Sequence, residues 1–269
     1  MMKRREFLAA SAAAAVGLMG ETLARGADNS TENRQFYELR TYRFASPQKQ
    51  QAFEEFLQSA AVPALNRAGV EPVGVFKLLA KDNPSLNLSA DPTDLWVFLP
   101  HNSLESVVTL ESRLAADPVF QKAGESVLRA PKSNPAFLRY SSTLLLAMEG
   151  APRVVVPSKS STRVFELRTY ESHSAERAKN KLEMFNAGEF SVFNRVGMPG
   201  VFYGGAIIGE SLPQLTYMVV HNDYAEAKKN WSAFGADPEW KKLQGNTSYR
   251  ENVSRITDRY LRPAGGSQI

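Results

Sequence analysis

Residues 37–42 read Y-E-L-R-T-Y, and residues 165–170 read F-E-L-R-T-Y, 128 positions further on. A shared pentapeptide alone is weak, but its surroundings repeat as well. Asn66-Arg67-Ala68-Gly69 matches Asn194-Arg195-Val196-Gly197 at the same spacing. The spacing then becomes 120: His101-Asn102 matches His221-Asn222, Ala116-Asp117-Pro118 matches Ala236-Asp237-Pro238, and Phe120 faces Trp240. The shortening falls where K-D-N-P-S-L-N-L-S-A-D-P (81–92) meets E-S-L-P (210–213). That is a hairpin connection, where insertions are tolerated. A length change confined to a loop marks an internal duplication.

Each copy has one layout. Residues 36–44 and 163–171 alternate as strands. Residues 47–67 and 174–195 follow with apolar side chains at helical spacing, and Gly69 and Gly197 stand where those helices stop. Two strands come next, 70–79 with 94–99 and 200–208 with 214–220. Asp117-Pro118 and Asp237-Pro238 then open a second helical stretch, with Asp as cap and Pro at the first helical position. Last strands run over 138–147 and 254–261. The order β-α-β-β-α-β predicts an α+β chain of two tandem ferredoxin-like repeats, 35–148 and 163–262, joined by a Pro- and Ser-containing linker over 149–162.

A single such unit leaves one sheet face uncovered. In residues 95–99, Trp96 and Phe98 lie on one face and Leu95, Val97 and Leu99 on the other, so both faces need cover. The other copy can supply it, sheet to sheet. In the first strand, Tyr37, Leu39 and Thr41 are expected under the helices, and Glu38, Arg40 and Tyr42 on the opposite face. On that assignment Glu38, Arg40, Glu166 and Arg168 converge inside a barrel. There they form either a polar cavity for a small anionic or carbonyl-bearing ligand, or two structural ion pairs that fix the register of the halves.

The paired E-L-R-T-Y strands, N-R-x-G after the first helix and A-D-P before an aromatic resemble the NIPSNAP family over roughly residues 35–262. The resemblance implies an intramolecular dimeric α/β barrel, in which two ferredoxin-like units close around one interior. Related barrels include cofactor-free monooxygenases, small isomerases and haem enzymes. It therefore implies a small-molecule-binding or accessory module using the barrel interior, or a cofactor-free monooxygenase or isomerase with an Arg/Glu/Tyr cavity, or a haem-binding protein.

Five histidine and tyrosine positions extend the candidate set. Tyr42 and Tyr170 share the face of the glutamates and arginines, as ligand donors or as core residues with satisfied hydroxyls. His101 and His221 end the third strands, as general bases or as structural residues at a helix entrance. His173 has no counterpart in the first copy and is the one residue a haem reading could use. The sequence predicts no cofactor and no metal cluster. Without a cysteine, disulfides, thiol catalysis and Cys-based metal sites are excluded.

The first 27 residues read as an address. Lys3-Arg4-Arg5 precedes Phe7-Leu8 and a short Ala-rich apolar run, the pattern of a twin-arginine export signal. Export to the periplasm or outside the cell is expected, with no stable membrane span after the signal is removed. The net charge is +4, half of it within those residues, and no basic stripe points to nucleic acid. A homo-oligomer stays open.

Overall fold

A computed structural model describes residues 33–269. The twin-arginine leader expected over 1–27 lies outside the described residues. Eight strands follow in chain order: β1 (Phe36–Arg43), β2 (Gly74–Leu78), β3 (Leu95–His101), β4 (Arg139–Ala147), β5 (Val164–Glu171), β6 (Gly200–Ile208), β7 (Gln214–His221) and β8 (Arg255–Pro263). They close into an antiparallel barrel in the order β1-β3-β2-β8-β5-β7-β6-β4. The protein is thus a mixed α/β fold around a closed eight-stranded barrel. The first four strands form β4-β1-β3-β2 and the last four β8-β5-β7-β6. Closure comes from the edge pairs β2–β8, through Lys77↔Arg262, and β4–β6, through Leu146↔Gly205. No sheet edge is left open.

The strand bounds follow the alternation closely. β2 begins later than the 70–79 reading because Pro72 has no N–H for a ladder. The long helix of each half is interrupted in the same place, by a π-helical turn at Leu57–Ala61 and at Phe185–Glu189. Gly69 and Gly197 have φ of 72° and 80°, the left-handed geometry that ends a helix. The repeated N-R-x-G and A-D-P motifs meet in space. Asp117 accepts the amides of Val119 and Phe120 at its helix start and also two bonds from Arg67, at 2.6 and 2.9 Å. Asp237 holds Glu239, Trp240 and Arg195 in the same way.

Three apolar clusters define the layers. One joins side chains from all around the barrel, including Tyr37, Phe76, Phe98, Leu145, Phe165, Phe202, Met218 and Leu261, and so packs the centre of the interior. Its centre is aromatic, with Phe98 stacked on Phe202 at 4.4 Å. The other two each belong to one half and lie between the sheet and its helices. This reverses the face assignment read from the sequence. Tyr37 and Leu39 point into the barrel, and Glu38, Arg40 and Tyr42 point outward beneath the helices. Alternation separates two faces but does not say which is inner when both are covered. The four charges therefore do not converge. Each Glu–Arg pair stays under the helices of its own half.

Candidate functional site

Arg40 in β1 donates to both oxygens of Glu38, at 2.7 and 2.9 Å, and at 3.1 Å to Glu111 on the helix Leu104–Ala115. Ser142 on the neighbouring β4 donates to Glu38 at 2.7 Å. Burial pushes the Glu38 carboxyl up, but the bonds from Arg40 and Ser142 more than offset this and hold it below the usual carboxylate range. Burial likewise opposes the charge on Arg40, and Glu38 outweighs it, raising the guanidinium above its ordinary value. This ion pair is locked charged at every physiological pH.

Beside it a cavity of about 420 Å³ opens between the sheet and the helices of the first half. Phe53, Phe56 and Leu57 form its helical wall, Val97 and Leu99 its floor, and Phe137 and Tyr140 one side. Arg40 and Glu111 supply its charged edge, and Tyr42 lies between Arg40 and the aromatics. Tyr140 stands 44% exposed at the mouth, with the Arg40 guanidinium 5.4 Å from its ring centre. Glu38 and Glu111 engage Nε and Nη2 of Arg40 but not Nη1, so this apolar chamber suits a small, largely apolar ligand whose carbonyl or anionic oxygen meets that remaining donor.

The second half uses the same positions differently. Trp231 stands at the repeat position of Glu111. Its ring lies over Arg168, 4.4 Å from the guanidinium, and its N–H donates to Glu166 at 2.6 Å. His221 lies 3.0 Å from the same carboxylate, and Arg168 donates to it at 2.7 Å. Glu166 is fully buried. Burial pushes its carboxyl up, but His221, Arg168 and Trp231 together hold it low. Tyr170 shares a 2.8 Å hydroxyl–hydroxyl bond with Tyr217, whose repeat position is Val97. A buried pair, Lys181 and Glu189 at 2.7 Å, occupies the positions of Phe53 and Ala61. The second half keeps a groove of about 400 Å³, but the charges along it are already partnered.

The predicted residues thus fall into two separate groups. Glu38, Arg40 and Tyr42 border the first cavity. Glu166, Arg168 and His221 form a buried network in the second half, with Tyr170 bonded to Tyr217 beside it and Arg168 Nε without a hydrogen-bond partner among the described residues. His101 is buried behind Glu38. Its Nδ1 lies 3.0 Å from Ser106 Oγ, while its Nε2 has no hydrogen-bond partner and stands 3.9 Å from Glu38. Burial lowers its pKa to about 4, so the ring is neutral near pH 7. His173 is exposed in the turn before the helix Ala175–Met184 and borders none of these cavities, which removes the geometric basis for a haem ligand there. Among the described residues no three His, Cys, Asp or Glu side chains cluster as metal ligands.

Sequence reading missed Glu111, Ser142, Tyr140 and Trp231. The repeat register held one usable signal: a charged residue at 111 opposite a tryptophan at 231 is a site where the halves diverge.

No curated protein sequence matches the chain. Among solved structures, a candidate monooxygenase from Lactobacillus acidophilus is similar at a TM-score of 0.56 and 10% identity, covering 88% of this chain and 98% of that one. A candidate monooxygenase from Fusobacterium nucleatum is similar at 0.54 and 10% identity, covering 86% and 93%. Both likenesses are of fold and span both halves of the barrel. A NIPSNAP-like domain protein from Burkholderia xenovorans is similar at 0.36 and 19% identity, covering 40% of this chain and 91% of that one. Residues 165–268, in the second half of the chain, match the NIPSNAP family model.

Proposed function

We propose that the protein binds a small, mostly apolar and aromatic molecule in the sheet–helix cavity of its first half, with Arg40 as partner for a carbonyl or anionic oxygen. The observation that carries this is the divergence at one repeat position. Trp231 caps Arg168 in the second half, whereas Glu111, 71% exposed at its side chain, leaves the cavity beside Arg40 open. The centre of the barrel interior, where the sequence placed the ligand, is packed by the aromatic cluster around Phe98 and Phe202.

The test uses the divergence itself. Titrated with 2-naphthoate, the wild type should bind saturably. Arg40→Gln should weaken binding about tenfold or more, the worth of a charge-assisted hydrogen bond. Glu111→Trp should abolish it while leaving the melting temperature unchanged or higher. Full binding by Glu111→Trp would sink the reading.

A second reading is cofactor-free oxygenation or isomerisation of the bound molecule. Its support is Arg40, placed to stabilise an enolate or phenolate oxygen, and the name carried by the two whole-chain neighbours in fold. Oxygen uptake with a bound phenolic ligand, lost in Arg40→Gln, would favour it over simple binding.

The repeat spacing and the matching strand orders of the halves support a tandem pair of ferredoxin-like units, both NIPSNAP-like; the reading that the chain is exported in folded form rests on Lys3-Arg4-Arg5 before Phe7-Leu8. Replacing Arg4 and Arg5 by Lys should then retain the protein in the cytoplasm. Undiminished export of that variant would argue for the general secretory route.

A further inference from the structure

The barrel interior changes character along its axis. Its aromatic end is closed, but at the other end lies a cavity of about 260 Å³ with Leu39, Leu167 and Trp96 beneath a wall of threonines. The register makes these inward positions. Leu167 stands opposite Arg259, and Thr169 opposite both Thr257 and Thr216. Thr169 and Thr216 bond each other at 3.0 Å, whereas Thr41, Thr143 and Thr257 make no side-chain hydrogen bond among the described residues.

Arg259 is the unusual member. It projects from β8 into the barrel one step above the buried Leu261. Among the described residues its guanidinium makes no hydrogen bond, and no carboxylate comes within 4.0 Å of it. Asp94 and Asp258 attract it only from further away, and burial without a contact partner lowers its pKa. Arg255, nearer the rim, is held by Glu171 at 3.8 Å. One cation in the mouth therefore lacks a contact partner, beside free hydroxyls and above an apolar floor. A guanidinium has five donors, and those of Arg259 are not sealed from the open mouth, so a ligand oxygen can reach them.

We infer that the barrel mouth is a second binding site, for a short-chain monocarboxylate whose carboxylate sits on Arg259 and the threonine hydroxyls and whose tail lies on Leu39, Leu167 and Trp96. Arg255 and Arg259 face Glu171 and Glu210 across the mouth, so a monoanion on Arg259 is favoured over phosphate, whose second negative charge the two carboxylates would repel. The site is independent of the sheet–helix cavity, since Leu39 and Thr41 point inward from the strand whose Arg40 points outward.

The test is calorimetric titration of the full chain with butyrate, with 1-butanol as the uncharged control. Butyrate should bind saturably and butanol should not. Arg259→Gln should weaken butyrate binding about tenfold or more. Thr257→Val, which removes one hydroxyl and little volume, should also weaken it, and it serves as the probe if Arg259→Gln fails to fold. Absence of saturable binding in the millimolar range, or equal affinity of wild type with Arg259→Gln or Thr257→Val, would each overturn the inference.

Discussion

The Lys181–Glu189 pair offers a sharp test of how the two halves are related. Its side chains are only 4% and 2% exposed, with Nζ and Oε2 2.7 Å apart. Lys181 also lies over the rings of Phe185 (4.9 Å) and Tyr170 (5.4 Å). Replacing Lys181 by Met leaves Glu189 buried without its cation, which costs about 3–5 kcal/mol. In a chain of this size that corresponds to roughly 6–20 °C in melting temperature. The loss should depend on pH. Burial already pushes the Glu189 carboxyl up, against the pull of Lys181. Without the lysine it rises further, so the native state holds a proton that the unfolded state releases near the ordinary carboxyl value of about 4.3. Stability contributed by a raised carboxyl is present below that value and lost as pH rises through the folded one. The variant should therefore approach wild type in acid and fall furthest behind near neutrality. The double variant Lys181→Phe with Glu189→Ala should recover most of the loss, because Phe53 and Ala61 already fill these positions in the first half. Thermal melts between acid and neutral pH provide the assay. A single-variant loss below about 1 kcal/mol, the range of an exposed pair, or a double variant worse than the single, would refute the reasoning.

Two further outcomes follow from the same geometry. Arg40→Ala and Arg168→Ala share no partner and lie under different halves, so their effects on stability should add within about 0.5 kcal/mol; denaturant melts of both singles and the double check this. Arg168→Ala should cost more, since Glu166 is fully buried while Glu38 keeps 11% side-chain exposure. His101 has its pKa lowered to about 4 by burial, so the unfolded chain takes up a proton first, near the free imidazole value. Its contribution is complete above that value and lost as pH falls towards 4. His101→Gln should flatten the stability profile across this window, and an unchanged acid slope would show that another group sets it.

The repeat told the sequence reader most of the architecture. Strand alternation, the Asp-Pro caps and the glycines after each first helix are local signals, because each rests on backbone geometry within a few residues. They located the strands and helices, and the doubled E-L-R-T-Y implied two matching halves around one interior. The sequence could not say which face of Y-E-L-R-T-Y is inner. Alternation separates Leu39 from Arg40, but both sides of a covered sheet are buried, and only barrel closure through β2–β8 and β4–β6 decides that Leu39 points inward. Nor could it pair Arg67 with Asp117, or set Glu111 beside Arg40, because these contacts span 50 and 71 residues. The candidate cavity exists because a helix folds back over the sheet and presents a short acidic side chain where its repeat presents an indole. Position 111 becomes a site only through what the tertiary fold places across from it.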